Sequence, residues 1–408
     1  MKKLIAVLLV ALMALMSFGA GFAEESTIKI GAIFPLSGSN SDNGWHAVNG
    51  AQMAIDEINA NGGVASMGGA KLELVTADNL SDANQCKAVA ERLLESTDLT
   101  AAIGAGSSAF VLPMLPVFEK ASVPFVTAQT SDSITNQGYQ YVFATAAKAS
   151  EWAQTQIDFI AWLNESFDLG LDKVGIIYEN TEWGNTQGQS SVDLAEAAGL
   201  EVVYNESFPA GLSDASSLIA GLKASGANIV IPTCYTQDAK TIKTAMDSMA
   251  YDPVIMGGGG GFLYPAFADE FGDDCIGIVS TSGSNWDVSG ILSREEYASV
   301  NDNYTARFDD AFMPEHAVSG YANIYVIYNA LEAAGSADPT AVQQALREIE
   351  CPSCMPGNSI KFDESGSNVN ATCIIVQWQQ TDSGTLALRT VYPESEATAE
   401  YILPESYR

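Results

Sequence analysis

The side chains best suited to chemistry in this sequence are hydroxyls and aromatics, and they cluster at the ends of apolar runs. Ser107 and Ser108 follow Ala101–Ile103, while Gln129 and Thr130 follow Val123–Val126. Asn43 and Trp45 stand in the loop after the first apolar run, Trp183 and Tyr235 stand after later ones, and a glycine run, Gly257–Gly261, follows another. Small polar groups beside aromatic walls are what a small-molecule site needs. Taken singly, each residue has a plainer role, since Gly and Ser make turns and caps and most Trp and Tyr pack in cores. Their repeated position is the signal. Ligands of open parallel sheets bind outside the carboxyl ends of the strands, and an N–H-rich helix start there favours an anionic group.

Catalytic patterns are poor by comparison. The only histidines are His46 and His316, and neither sits in a metal-ligand spacing. GxSxG does not occur, nor does a phosphate loop ending in Gly-Lys-Ser/Thr, nor a GxGxxG after the first strand. Gly257–Gly261 lacks a following Lys-Ser/Thr and reads as a loop built for close approach. These residues point to a protein that binds and does not catalyse, with no cofactor and no metal. The formal charge of −32, from 50 acidic and 18 basic residues, makes nucleic acid and anionic lipid improbable partners.

The chain opens with MKKLIAVLLVALMALMSFGAGFA, a basic start, an apolar stretch and a small-residue end. That pattern is a secretory signal peptide over residues 1–23, with cleavage expected after Ala23. No cysteine lies near the cleavage point, so no lipid anchor is expected, and no later stretch is long and apolar enough to span a bilayer. Export permits disulfides. Cys86, Cys234, Cys275, Cys351, Cys354 and Cys373 are the candidates, and sequence does not choose a pairing. Cys351-Pro-Ser-Cys354 has the spacing of metal or thiol-exchange chemistry. With no second CxxC and no nearby His, it reads better as a structural disulfide, local or involving Cys373.

The elements that must carry these residues alternate. Strands are predicted at Thr27–Phe34, Lys71–Thr76, Thr100–Gly104, Val123–Val126, Lys173–Tyr178, Glu201–Ser207, Asn228–Pro232 and Pro253–Met256, with amphipathic helices between them. One helix is expected to carry Val111, Leu115 and Phe118 on a single face. Such alternation implies α/β architecture with parallel sheets covered on both faces, and its length implies two lobes. The tail differs: helices at Tyr297–Phe312, Tyr321–Gly335 and Thr340–Glu350, then strands Ser359–Phe362 and Ala371–Trp378 joined by an Asp363–Asn368 turn. Ser383–Arg408 has no clear assignment.

Several pieces in order give the chain a family resemblance: IKIGAIFPLSG (Ile28–Gly38), NGAQMAIDEINANGGV (Asn49–Val64), TADNLSD (Thr76–Asp82), IGAGSS (Ile103–Ser108), VPFVTAQTSDSIT (Val123–Thr135), YQYVFAT (Tyr139–Thr145), KVGIIYENTEWG (Lys173–Gly184) and YNALEAAGS (Tyr328–Ser336). Over Ile28 to Trp378 the sequence resembles the leucine/isoleucine/valine-binding family, the type I periplasmic binding proteins of ABC importers. The resemblance implies two Rossmann-like lobes with parallel sheets, joined by a three-strand hinge crossing near Ala147, Ser282 and Asn370. It places residues 24–147 and 283–370 in lobe 1, and 148–282 and 371–408 in lobe 2. It further implies that Ser108 and Thr130, with the backbone of Gln129, hold the carboxylate and amino group of a ligand. Trp183, Tyr235, Asn43 and Trp45 would supply the remaining walls. The chain departs from the family at the position that pairs with a ligand ammonium. A Glu is expected in the loop after Met256, and that loop here is Gly257–Phe262, with no carboxylate. Ala144 stands where Arg is frequent, and Ser81 and Ser107 stand where some members carry a cysteine pair.

The reading is an extracytoplasmic substrate-binding protein of an ABC importer in the periplasm. It would bind an amino acid or a related carboxylate or amide between two lobes, with permease subunits as partners. The alternative is a ligand-sensing receptor module of the same fold; a secreted hydrolase would need a nucleophile–base pair that the sequence does not offer.

Overall fold

The computed structural model describes residues 27–287, 299–381 and 384–404. The expected signal peptide and its cleavage point lie outside those residues, as does Tyr297 at the start of one predicted helix. Strand β1 (Thr27–Phe34) is almost continuously buried, as a strand covered on both faces must be. It pairs in parallel with β2 (Lys71–Asp78) and β3 (Ala101–Gly104). Then β4 (Phe125–Thr127) and β5 (Val142–Ala144) complete a five-stranded sheet of order β2-β1-β3-β4-β5.

The second sheet has seven strands. Its parallel part holds β6 (Lys173–Glu179), β7 (Glu201–Phe208), β8 (Ile229–Thr233), β9 (Val254–Gly257) and β10 (Val279–Ser282). Two antiparallel strands, β13 (Ile374–Gln380) and β14 (Leu386–Tyr392), extend it, giving the order β14-β13-β10-β9-β8-β6-β7. Strand order therefore reverses once in each sheet, between β1 and β3 and between β6 and β8. Those are the points where a crevice opens at the carboxyl ends of strands.

The chain crosses between the sheets three times. It leaves the first after β5 and returns after β10, where helix α11 (Glu315–Ala334) packs on α1 (Ser41–Ala60) of the first sheet. It leaves again ahead of β13. Gly50 and Gly320 set the distance between these helices. A Cβ on Gly50 would stand 1.9 Å from the Ala317 carbonyl oxygen, and one on Gly320 would stand 2.1 Å from that of Ala47. Where described, two of the crossings run side by side, with Ala144 bridging Ser367 in parallel. Asn368 ties two of them: its Nδ2 donates to the Thr145 carbonyl at 3.0 Å, and its Oδ1 accepts from Asn370 N at 3.1 Å.

Several expectations change. The helix through Val111, Leu115 and Phe118 is two short helices, Ser108–Val111 and Leu115–Ala121, because Pro113 falls between them. Ser359–Lys361 (β12) and β13 do not form a hairpin. β12 pairs with β11 (Glu350–Pro352) in a separate two-stranded sheet, while β13 joins the large one. The disulfide expectation also fails. All six cysteines are buried, and no disulfide joins them. Cys234, Cys275, Cys351 and Cys354 pack in one large core, Cys86 in a second and Cys373 beside Trp152, all as small apolar residues, and burial pushes the Cys86 and Cys275 thiols up to about 12 and the Cys351 thiol up to about 11. No described helix is long and apolar enough to cross a membrane.

Candidate functional site

The two switch points face each other across the gap between the lobes. A cavity of about 420 Å³ lies there, lined by Asn43 and Ser107 from one lobe and by Glu179, Thr181, Tyr235 and Asp238 from the other. Asn43 is carried by α1, after β1, and Ser107 by the turn after β3. Glu179 ends β6, and Tyr235 follows β8. The pattern of strand ends in the sequence thus converges on one place. Tyr235 and Ser107 line it from opposite lobes, and the Ser107 side chain opposes the rise that burial imposes on the Tyr235 phenol.

A second, deeper cavity of about 30 Å³ lies behind Tyr235. Its walls are Ala128, Gln129 and Thr130 after β4, Trp183, Tyr235 and Gly260 from the opposite lobe, and Trp152, Glu315 and His316. The Trp183 and Tyr235 rings lean together, with centroids 5.0 Å apart. Trp183 Nε1 donates to Gln187 Oε1 at 2.7 Å, and Gln187 Nε2 donates to the Gly258 carbonyl at 2.8 Å. Gln156 Nε2 donates to the next carbonyl back, that of Gly257, at 3.2 Å. Two buried glutamines therefore hold the glycine loop in place. The loop needs glycine: Gly259 has φ +106°, and a Cβ there would stand 2.4 Å from the Trp152 ring.

The lobes meet around these cavities. Glu182 Oε1 accepts from the Ser131 hydroxyl at 3.1 Å and from the Ser133 hydroxyl at 2.7 Å. The Tyr264 hydroxyl reaches His316 Nδ1 from the opposite lobe, and its ring stacks on His46 with centroids 5.7 Å apart.

Electrostatically the site is acidic. Burial pushes the Glu179 carboxyl up to about 7, aided by the Asp238 charge and opposed by the Thr181 hydroxyl, which donates to its Oε1 at 2.6 Å. Glu179 Oε2 is buried with no hydrogen-bond partner. Glu315 opens helix α11 and is also raised to about 7 by burial, with the Gly283 N–H opposing at 3.3 Å. Burial and the charge of His46 pull His316 down to about 4, so it is neutral near pH 7. Among the described residues no group of three His, Cys, Asp or Glu side chains is placed to hold a metal.

Of the residues singled out from sequence, Gln129, Thr130, Trp183 and Tyr235 share the deep cavity, Gly259 abuts its Trp152 wall, and Asn43 and Ser107 line the outer one. Two fall elsewhere. Ser108 is 1 % exposed and lines neither cavity; its Oγ accepts from Ser131 N at 3.1 Å and so positions the loop that meets Glu182. Trp45 is 49 % exposed, its indole N–H donating to the Leu36 carbonyl at 3.1 Å. It points away because Asn43, two residues earlier on α1, takes the inward face. Sequence reasoning missed Trp152, Glu179, Glu315 and His316. Glu315 follows Pro314 at a helix start, where an acidic residue reads as ordinary dipole complement.

Comparison with known proteins agrees with this architecture. The periplasmic binding protein family matches residues 27–385. The Leu/Ile/Val-binding protein homolog 8 of Brucella melitensis is 32% identical over 389 residues, covering 93% of each chain. Among solved structures, the branched-chain amino acid transporter substrate-binding protein LivJ of Streptococcus pneumoniae, in complex with isoleucine, gives a TM-score of 0.76 at 23% identity, covering 90% of this chain and 100% of that one. A solute-binding protein of an ABC transporter from Rhodopseudomonas palustris, in complex with 3,4-dihydroxybenzoic acid, gives 0.77 at 19% identity, covering 94% and 99%. The two-lobed α/β fold is that of type I periplasmic binding proteins. With a paired switch-point cleft in the structure and a family match over nearly all the described residues, this chain is a member of the periplasmic binding protein family.

Proposed function

We propose that this protein is the extracytoplasmic solute-binding component of an ABC importer, exported by the signal peptide at residues 1–23 and working in the periplasm. It binds a small organic solute between lobes made of residues 24–147 with 283–370 and of 148–282 with 371–408, and hands it to permease subunits. One observation carries the reading: strand-end residues of both sheets, Thr130 on one side and Trp183 and Tyr235 on the other, wall a single cavity. Relatives named as Leu/Ile/Val-binding homologs, and a neighbour holding isoleucine, support an amino acid or related molecule as the solute.

The deep cavity, at about 30 Å³, is far smaller than the several hundred Å³ of a small-molecule site. Solute admission therefore requires the lobes to part and close again, and differential contacts with both lobes drive that closure. A thermal-shift screen of amino acids, carboxylates, amides and aromatic acids tests the reading. A true solute at 100 times its Kd adds about 2.7 kcal/mol of apparent stability. A screen in which every compound leaves the melting temperature unchanged, or one showing solute turnover, contradicts it.

A further inference from the structure

We propose that Glu315 is the anionic partner of a ligand ammonium, so that the solute is an amino acid or related amine and not a simple carboxylic acid. This rests on the solute-binding reading above and narrows it. Glu315 lies where the chain returns to the first lobe and lines the deep cavity beside Thr130 and Tyr235. Its carboxylate accepts one long bond, from Gly283 N at 3.3 Å, and among the described residues no lysine, arginine or histidine forms an ion pair with it. An ionised carboxylate held this way is costly unless a cation meets it.

A second observation is independent. Trp152 is 3 % exposed and lines the same cavity, yet its indole Nε1 has no hydrogen-bond partner. The two groups converge on one backbone point: a Cβ on Gly283 would stand 3.1 Å from Glu315 Oε1 and 3.0 Å from the Trp152 ring. An unspent acceptor beside an unspent donor suits a molecule carrying both an ammonium and an acceptor such as a carboxylate. The outer cavity has the same bias. Asp42, Asp82, Glu179 and Asp238 line it against one cation, Lys240, which is itself paired with Glu270 at 3.0 Å. That acidic approach attracts a cationic group and repels a lone anion.

The test is calorimetric titration at pH 8 with matched sets. For each of leucine and phenylalanine, the amino acid is compared with its deaminated acid and its decarboxylated amine, on the wild-type chain, Glu315→Gln and Glu179→Gln. The expected result is binding by at least one amino acid or amine, no measurable binding by the matching deaminated acid, and a loss of about 10- to 100-fold in Glu315→Gln. Thermal unfolding of the variants without solute confirms that both are folded. Deaminated acids binding as well as their amino acids, or Glu315→Gln binding like wild type, overturns the inference and leaves the solute-binding reading standing. So does a loss confined to Glu179→Gln, which places the ammonium in the outer cavity. Absence of binding by every probe overturns the inference for these chemistries, and the broader screen then decides the solute-binding reading itself.

Discussion

At the scale of single residues, two buried carboxyls set the pH behaviour. Glu315 and Glu179 each hold a proton up to about 7, against an ordinary 4.5. A carboxyl with a raised folded pKa binds its proton more tightly in the folded chain, so the contribution of these two groups to stability rises as pH falls from 8 through 7 toward 4.5, while the buried neutral His316, lowered to about 4, works the opposite way below about 6.5. Thermal unfolding between pH 8 and pH 5.5 checks this, and the gain shrinks in Glu315→Gln and shrinks further with Glu179→Gln added. Solute affinity runs the other way, because an ammonium needs the ionised carboxylate. It is strongest above pH 7 and weakens below it, most cleanly in the Glu179→Gln background. The groups facing Glu315 stay neutral over that range: burial lowers His316 to about 4 and raises Tyr235 and Tyr264 above the ordinary tyrosine range. Opposite pH trends for stability and affinity distinguish a recognition role from a purely structural one.

At the scale of elements, close approach decides what can be changed. Gly320→Ala forces a Cβ to 2.1 Å from the Ala47 carbonyl oxygen and must push α11 off α1. The expected cost is about 1–3 kcal/mol in chemical denaturation. Gly259→Ala adds backbone strain at φ +106° and drives into the Trp152 ring, so it should cost solute affinity as well as stability. Most of the parallel strands were legible in the sequence because each is a short apolar run closed by turn residues, as in Ala101–Gly104 before Ser107, but β10, mostly Ser and Thr, was not. The three-residue β5 is too short to show a period, and β14 lies in a tail of mixed composition. The apolar Val111–Phe118 stripe gave the right buried face but hid the break at Pro113. The site divided in the same way. Thr130, Trp183 and Tyr235 follow strands and could be read locally. Trp152 and Glu315 open helices distant in sequence and meet only when the chain crosses back between lobes.

At the scale of the whole molecule, charge and closure matter most. A formal charge of −32 repels itself in the folded state, so the melting temperature should rise as salt is added from about 10 mM to 150 mM. Closure is held in part by Glu182, which takes the Ser131 and Ser133 hydroxyls of the opposite lobe. Removing the charge in Glu182→Gln should weaken solute binding about fivefold, the equivalent of one hydrogen bond, with little change in overall stability. Small-angle X-ray scattering on the wild-type chain, with and without a solute found in the screen, tests closure on a bound molecule most directly. The expected result is a larger radius of gyration without solute, falling at one-to-one saturation to the value of this structure with its lobes in contact. An unchanged radius at saturating solute would contradict it.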